Sequence, residues 1–158
     1  MLNGWGWLAV LTTMAATTWA AVSWRRRTAR RERPAGTRQA KAAFQQRREW
    51  LEARFVTLAA AQGKPRGLAW TDCEFASTVS WARDRESGEL RALVAVTIHF
   101  APVPGGGMEH NPNVALPRAA TAVFQWHEQE WLTDGRVLFN LTPAQAIEHF
   151  QHELETAD

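Results

Sequence analysis

Residues 1–24 carry no charged side chain, and Arg25, Arg26 and Arg27 follow at once. This abrupt change constrains the chain more than any other feature. Within residues 4–24 only Thr12, Thr13, Thr17, Thr18 and Ser23 are polar. As a helix, at about 1.5 Å per residue, that stretch is roughly 30 Å long, the thickness of a hydrocarbon core. Trp5 and Trp7 lie near one end and Trp19 and Trp24 near the other, where indoles favour the bilayer interface. A cleaved signal peptide carries its positive charge before the apolar run, whereas here all of it comes after. A buried globular helix rarely stops in three arginines. The pattern predicts a transmembrane anchor over 1–24.

The positive-inside rule then sets the orientation: a single-pass protein of the inner (cytoplasmic) membrane, N-terminus out, with its C-terminal domain in the cytoplasm. Ala9, Thr13, Thr17 and Ala21 recur every four residues, and a face of small side chains lets two membrane helices approach closely. A homodimer through that face is one expectation. The other is that Ala and Thr are simply abundant in this segment.

The overall balance of +2 and the pI of 9.3 average two unlike parts. Residues 1–38 hold seven arginines, all within 25–38, against the single acid Glu32, a charge of +6, and leave −4 for the remaining 120 residues. An acidic body repels phosphates, so no nucleic-acid partner is expected. Arg25, Arg26, Arg27, Arg30 and Arg31 are placed to contact anionic lipid headgroups, at about 1 kcal/mol per basic residue near the surface. They also serve as the topology signal alone. Pro34 and Gly36 interrupt any helix running from the membrane into the body. The chain thus divides into an anchor at 1–24, an Arg-rich linker at 25–38 and a cytoplasmic α+β domain at 39–158. Its one cysteine, Cys73, suits a reducing compartment.

Within the body, Phe44, Leu51, Phe55 and Leu58 form a helical stripe ended by Gly63 and Pro65. Residues 67–73 read as a short strand. A hairpin follows over 75–100, turning at Ser87-Gly88. A two-residue loop there sets Phe75 opposite Phe100, Val79 opposite Val96 and Trp81 opposite Val94 on one face. On the other face Asp84 meets Arg91. A second strand pair covers 117–127 and 130–139, with Trp126 close to Trp131 and Gly135 marking a bulge. Thr142, Pro143 and Gln145 open a last helix with a capping box, whose buried stripe is Ile147, Phe150 and Leu154. The fold class is α+β: after the transmembrane helix come a helix, a four- to five-stranded antiparallel sheet and a C-terminal helix. That element order looks cystatin/NTF2-like, an analogy that carries no function.

The stretches WARDR at 81–85, GGGME at 105–109 with NPN at 111–113, RAATAVF at 118–124, and DGR at 134–136 through FNL at 139–141 carry a resemblance. Over roughly 40–155 the chain resembles an uncharacterised bacterial family of short, single-pass membrane-anchored proteins. The resemblance implies an anchored body and no activity, cofactor or site residue.

The residues point to no catalytic constellation, no cofactor and no metal. The loop 102–117 is the longest irregular piece, and long loops in compact domains are often functional. Its Gly105, Gly106 and Gly107 offer backbone N–H groups to an anion. Glu109 and His110 stand beside them, so these five residues are the candidate ligand-binding set. No Lys-Ser/Thr follows, which excludes a P-loop. His99 and His127 could join Glu109 and His110 around a metal, but no HExxH or Cys pair supports it. Glu148, His149, His152 and Glu153 read as a charged helix face, and Cys73 as packing.

Trp70, Phe75, Trp81, Phe100, Phe124 and Trp126 share one sheet face. They line either an apolar pocket, with Asp72, His99 or His127 as polar groups, or an ordinary core. Two functions follow. The first is a membrane-anchored, cytoplasmic-facing, non-catalytic module that binds a protein partner. The alternative is a small-molecule-binding protein or enzyme using an apolar pocket on the sheet and the loop 102–117.

Overall fold

Ala40, Phe44, Leu51, Phe55 and Ala59 are all buried, and their spacing lines one side of a helix. In the computed structural model, which describes residues 36–62 and 67–157, this helix (α1) covers 36–62. Gly36 is already helical, so the body's first helix extends further towards the linker than the expected start at 39. The chain divides into two units, Met1–Gln39 and Ala40–Asp158. Of the first, only 36–39 are described, and they are helical. The expected anchor at 1–24, its small-residue face, the arginines of 25–33 and the helix stop at Gly63 and Pro65 lie outside the described residues. Among the described residues no helix is long and apolar enough to cross a membrane.

Six strands follow: β1 Leu68–Asp84, β2 Leu90–Pro102, β3 Arg118–His127, β4 Glu130–Leu132, β5 Val137–Phe139 and β6 Leu154–Thr156. A short 3-10 turn, Pro112–Ala115, lies between β2 and β3, and helix α2, Pro143–His149, precedes β6. The sheet is antiparallel with order β4-β3-β2-β1-β6, and β5 also pairs with β3. Alternation along the strands gives two faces. One carries the main core beneath α1, including Val94, Val96, Ile98, Phe124 and Trp131. The other carries a smaller core in which Ala82 and Leu93 meet Ala146 of α2 and Leu154.

The β1–β2 hairpin forms, but its register differs from the expected one. Trp81 lies opposite Ala92, Val79 opposite Val94 and Phe75 opposite Val96. This is a slip of two residues, then four beyond the irregularity between Phe75 and Val79. An even slip keeps every side chain on its face. The cause is the turn. A two-residue loop with Ser before Gly needs left-handed backbone at both positions, whereas here only Gly88 (φ 75°) has it. The chain instead closes a longer loop with a bond from Asp84 N–H to the Glu89 carbonyl at 2.9 Å. The Asp84 carboxylate accepts from the N–H groups of Glu86 and Ser87 at 3.0 and 2.9 Å. It also receives the Arg91 guanidinium at 2.6 Å, so the expected charge pair forms in the shifted register. The Ser87 N–H first, and the Arg91 guanidinium after it, hold the Asp84 carboxyl below the usual carboxylate range.

Residues 67–73 are not a separate strand; from Leu68 they begin β1, and a shift between Trp70 and Asp72 seats Trp70 opposite Phe100. β6 covers β1 only at Ala82–Asp84. Further along that free edge the strand is irregular between Phe75 and Val79, and Arg48 of α1 donates to the carbonyls of Ala76 and Ser77. A bulge whose carbonyls are occupied is a poor template for a foreign strand.

The last helix is shorter than expected. The capping box forms: Thr142 Oγ1 accepts from Gln145 N–H, and the Gln145 side chain accepts from Thr142 N–H at 2.9 Å. However, α2 ends at His149, and Leu154, expected on its buried stripe, belongs to β6. The i,i+4 pairs His149/Glu153 and Glu148/His152 therefore do not share a helix face.

Candidate functional site

The aromatic sheet face is filled where α1 crosses it. Phe44 is fully buried and meets Trp81, Phe124 and Trp131 edge-on, with ring centroids 5.6, 5.4 and 5.0 Å away. Phe55 continues the stack onto Phe75 and Phe124. The Trp131 indole N–H donates to the Ala40 carbonyl at 2.7 Å, which satisfies the one polar atom of a buried ring. The polar groups expected to converge here do not. Asp72 and His99 are paired on the opposite face. His127 lies at the far end of β3, where its Nδ1 is 2.5 Å from a Glu89 carboxylate oxygen. Cys73 packs against the main core, and burial, with Asp72 adding to it, pushes its thiol up to about 11. That thiol is a poor nucleophile.

The His127–Glu89 contact makes a pH prediction. The Glu89 carboxylate raises the His127 pKa above the ordinary histidine value, through its hydrogen bond first and its charge second. A raised histidine contributes stability that is present below about pH 6.5 and lost as pH rises through the folded value. In an NMR titration the His127 ring should show a midpoint above 6.5, and Glu89→Gln should lower it. An unchanged midpoint in that variant would break the assignment.

Gly105, Gly106 and Gly107 do present backbone N–H groups to an anion, and the anion belongs to the chain itself. Gly105 N–H donates to a Glu109 carboxylate oxygen at 2.5 Å. The Glu109 carboxyl is held below its ordinary range by its own backbone N–H first and by that of Gly105 next. The cradle is therefore occupied from within. The loop is seated by contact between Gly106 and Gly67, where a Cβ on Gly67 would lie 2.3 Å from the Gly106 carbonyl oxygen. His110 is exposed and has no partner at the cradle. Among the described residues, no three His, Cys, Asp or Glu side chains are grouped to hold a metal ion.

The sheet face is hollow at one end. Where the loop 102–117 folds over the end of the sheet, a cavity of about 290 Å³ opens. Leu68, Phe100, Met108 and Phe139 form apolar walls, and no described residue of α1 reaches it. Asn111, Asn113, Asn140 and Arg118 add polar atoms. The Asn111 side chain is engaged, accepting from Asn113 N–H at 3.0 Å. Asn140 sits in the left-handed region (φ 59°), with its N–H held by the Ala119 carbonyl at 2.9 Å.

A larger cleft of about 550 Å³ lies between α2, β6 and the start of α1. Its cations already have partners. Arg85 pairs with Glu155 at 3.2 Å, and Lys41 lies over the Trp81 ring, 5.2 Å from its centroid.

The loop 102–117 that the sequence singles out borders this cavity. Gly105–Gly107 and Glu109 bind one another, whereas Arg118, Asn113 and Asn140 face the cavity. The chain matches no protein-family model, no curated protein and no solved structure.

Proposed function

We propose that this chain is a single-pass protein of a bacterial inner membrane whose C-terminal α+β body is a non-catalytic binding module facing the cytoplasm. The observation that carries the reading is the uncharged run 1–24 followed directly by Arg25, Arg26 and Arg27. The resemblance of 40–155 to short membrane-anchored bacterial proteins supports it. So does the cystatin/NTF2-like order of a helix crossing an antiparallel sheet, as an analogy. Arg25, Arg26, Arg27, Arg30 and Arg31 contact anionic headgroups, and the face of Ala9, Thr13, Thr17 and Ala21 pairs two copies. A protein partner binds on the body's outer surfaces, since α1 occupies the aromatic face.

The test is alkaline extraction of membranes holding the full chain, combined with C-terminal reporter fusions. The chain should stay in the pellet, and Leu8→Lys with Leu11→Lys should release it. A C-terminal fluorescent protein should be active, and a C-terminal alkaline phosphatase inactive. Release of the unaltered chain, or an active phosphatase, overturns the reading. Thr13→Leu should abolish cross-linking between copies if the small face pairs them.

A second reading, binding of a small molecule at the loop 102–117, is favoured by one observation: the cavity that the loop closes over at the end of the sheet.

A further inference from the structure

The cavity under the loop 102–117 has an unbalanced chemistry. Its floor and sides are hydrocarbon and aromatic: Phe100, which is stacked edge-on against Trp70 at 5.7 Å, with Leu68, Met108 and Phe139. Phe139 is 46% exposed, an apolar side chain left open to solvent at the rim. The one charged side chain of this lining is a cation, Arg118. Among the described residues, Arg118 makes no ion pair and no hydrogen bond through its guanidinium, and the side-chain amides of Asn113 and Asn140 are likewise uncommitted. No acid is among the lining residues. The nearby acid of the loop, Glu109, has its carboxylate taken up by Gly105 N–H.

An apolar pocket with a cation and two free amides is complementary to a molecule with a hydrocarbon or aromatic body and an anionic end. A phosphate ester would suit a site with several cations or a row of backbone N–H groups, and the loop's own N–H cradle is filled. A single guanidinium offers two parallel N–H donors, the geometry of a carboxylate. We propose that this cavity binds a small monocarboxylate with an apolar tail, the tail lying against Phe100, Met108 and Leu68 and the carboxylate meeting Arg118 with Asn113 and Asn140. The proposal rests on the second reading above, that the loop is a binding element. It is independent of the membrane anchor.

The chain carries its own reporter. Of its three methionines, Met1 and Met14 lie in the uncharged N-terminal run, and Met108 lines the cavity. In full chain labelled with ¹³C at the methionine methyls and held in lipid nanodiscs, 3-phenylpropionate should shift the Met108 signal saturably and leave Met1 and Met14 in place. Probe that merely partitions into lipid would move those two instead. 3-Phenylpropanol and 3-phenylpropylamine, which keep the tail and lose the anion, should bind at least about tenfold more weakly, equivalent to about 1.4 kcal/mol.

Arg118→Gln, at an exposed position, should weaken the acid by about tenfold and leave the alcohol unchanged. An acetylated tetrapeptide ending in a free Phe carboxylate, run beside its C-terminal amide, separates a protein terminus from a free carboxylate as the source. A saturable, carboxylate-dependent shift from either probe supports the site. No saturable Met108 shift, equal binding of acid, alcohol and amine, or an Arg118→Gln loss shared by all three overturns it. Those outcomes would leave the extraction and fusion results untouched, so failure of the cavity is distinguishable from failure of the anchor.

Discussion

Phe44→Ala is expected to lower the unfolding free energy of the body by about 3–5 kcal/mol. This ring is fully buried and is the one residue of α1 in edge contact with three sheet aromatics, Trp81, Phe124 and Trp131. Truncation removes hydrophobic transfer energy and leaves a void that two indoles and a phenyl ring cannot fill without leaving their own contacts. Each lost edge-to-face pair adds about 0.5–1.5 kcal/mol beyond area burial. Against a domain stability of about 5–15 kcal/mol, the loss is a large fraction of the whole. Chemical denaturation followed by tryptophan fluorescence measures it. Phe44→Leu, nearer in volume, should cost less than half as much, and Phe139→Ala, at a half-open position, less than about 0.5 kcal/mol. A cost below about 1 kcal/mol for Phe44→Ala would mean that α1 is not seated on the sheet as described.

That helix was legible in advance because its apolar spacing is a local signal, as was the capping box at Thr142 and Gln145. Each is decided within a turn or two of helix. The hairpin register was not legible in the same way. Pairing Phe75 with Phe100 or with Val96 puts the same side chains in the core, so the hydrophobic pattern cannot separate registers that differ by an even number of residues. What separates them is Asp84, whose carboxylate claims the N–H groups of Glu86 and Ser87 and lengthens the turn. An Asp four residues before a Gly was the available clue.

β6 was hidden because Ile147, Phe150 and Leu154 continue a helical spacing. Nothing local shows that β1's edge at Ala82–Asp84 awaits a strand. The candidate site was legible only to the level of the loop. Glu109, read with the glycines as part of an open binding set, instead accepts from the Gly105 N–H. The union of Arg118 with Asn113 and Asn140 depends on three stretches meeting at the end of the sheet, and no spacing rule encodes that. The aromatic face is filled where Phe44 and Phe55 of α1 pack on it, and no described residue of α1 lines the cavity at its end.

Gly135→Ala should be a severely damaging single-methyl addition to the body. Gly135 lies between β4 and β5 with φ at 79°, so a side chain there meets the left-handed penalty of about 1–2 kcal/mol. It is also where the sheet touches the far end of α1. A Cβ at this position would stand 2.6 Å from the Ala59 nitrogen and 2.9 Å from the Leu58 carbonyl carbon. Both are main-chain atoms of a helix, so no rotamer can yield. The β4–β5 connection is fixed as well, because Thr133 Oγ1 accepts from Gly135 N–H and donates to the Val123 carbonyl. The last turns of α1 must lift, at a further cost of about 1–3 kcal/mol. Gly105 supplies the control, since it has nearly the same φ, 77°, and nothing within 4 Å of an added Cβ. Gly105→Ala should cost only the backbone penalty, and the difference between the two variants isolates the clash. Hydrogen exchange should show the consequence in place: faster exchange at 55–62 and at β4–β5 in Gly135→Ala, with the β1–β2 hairpin still protected. Equal costs for the two glycines, or exchange raised uniformly across the body, would refute the close approach of α1 to the sheet at this point.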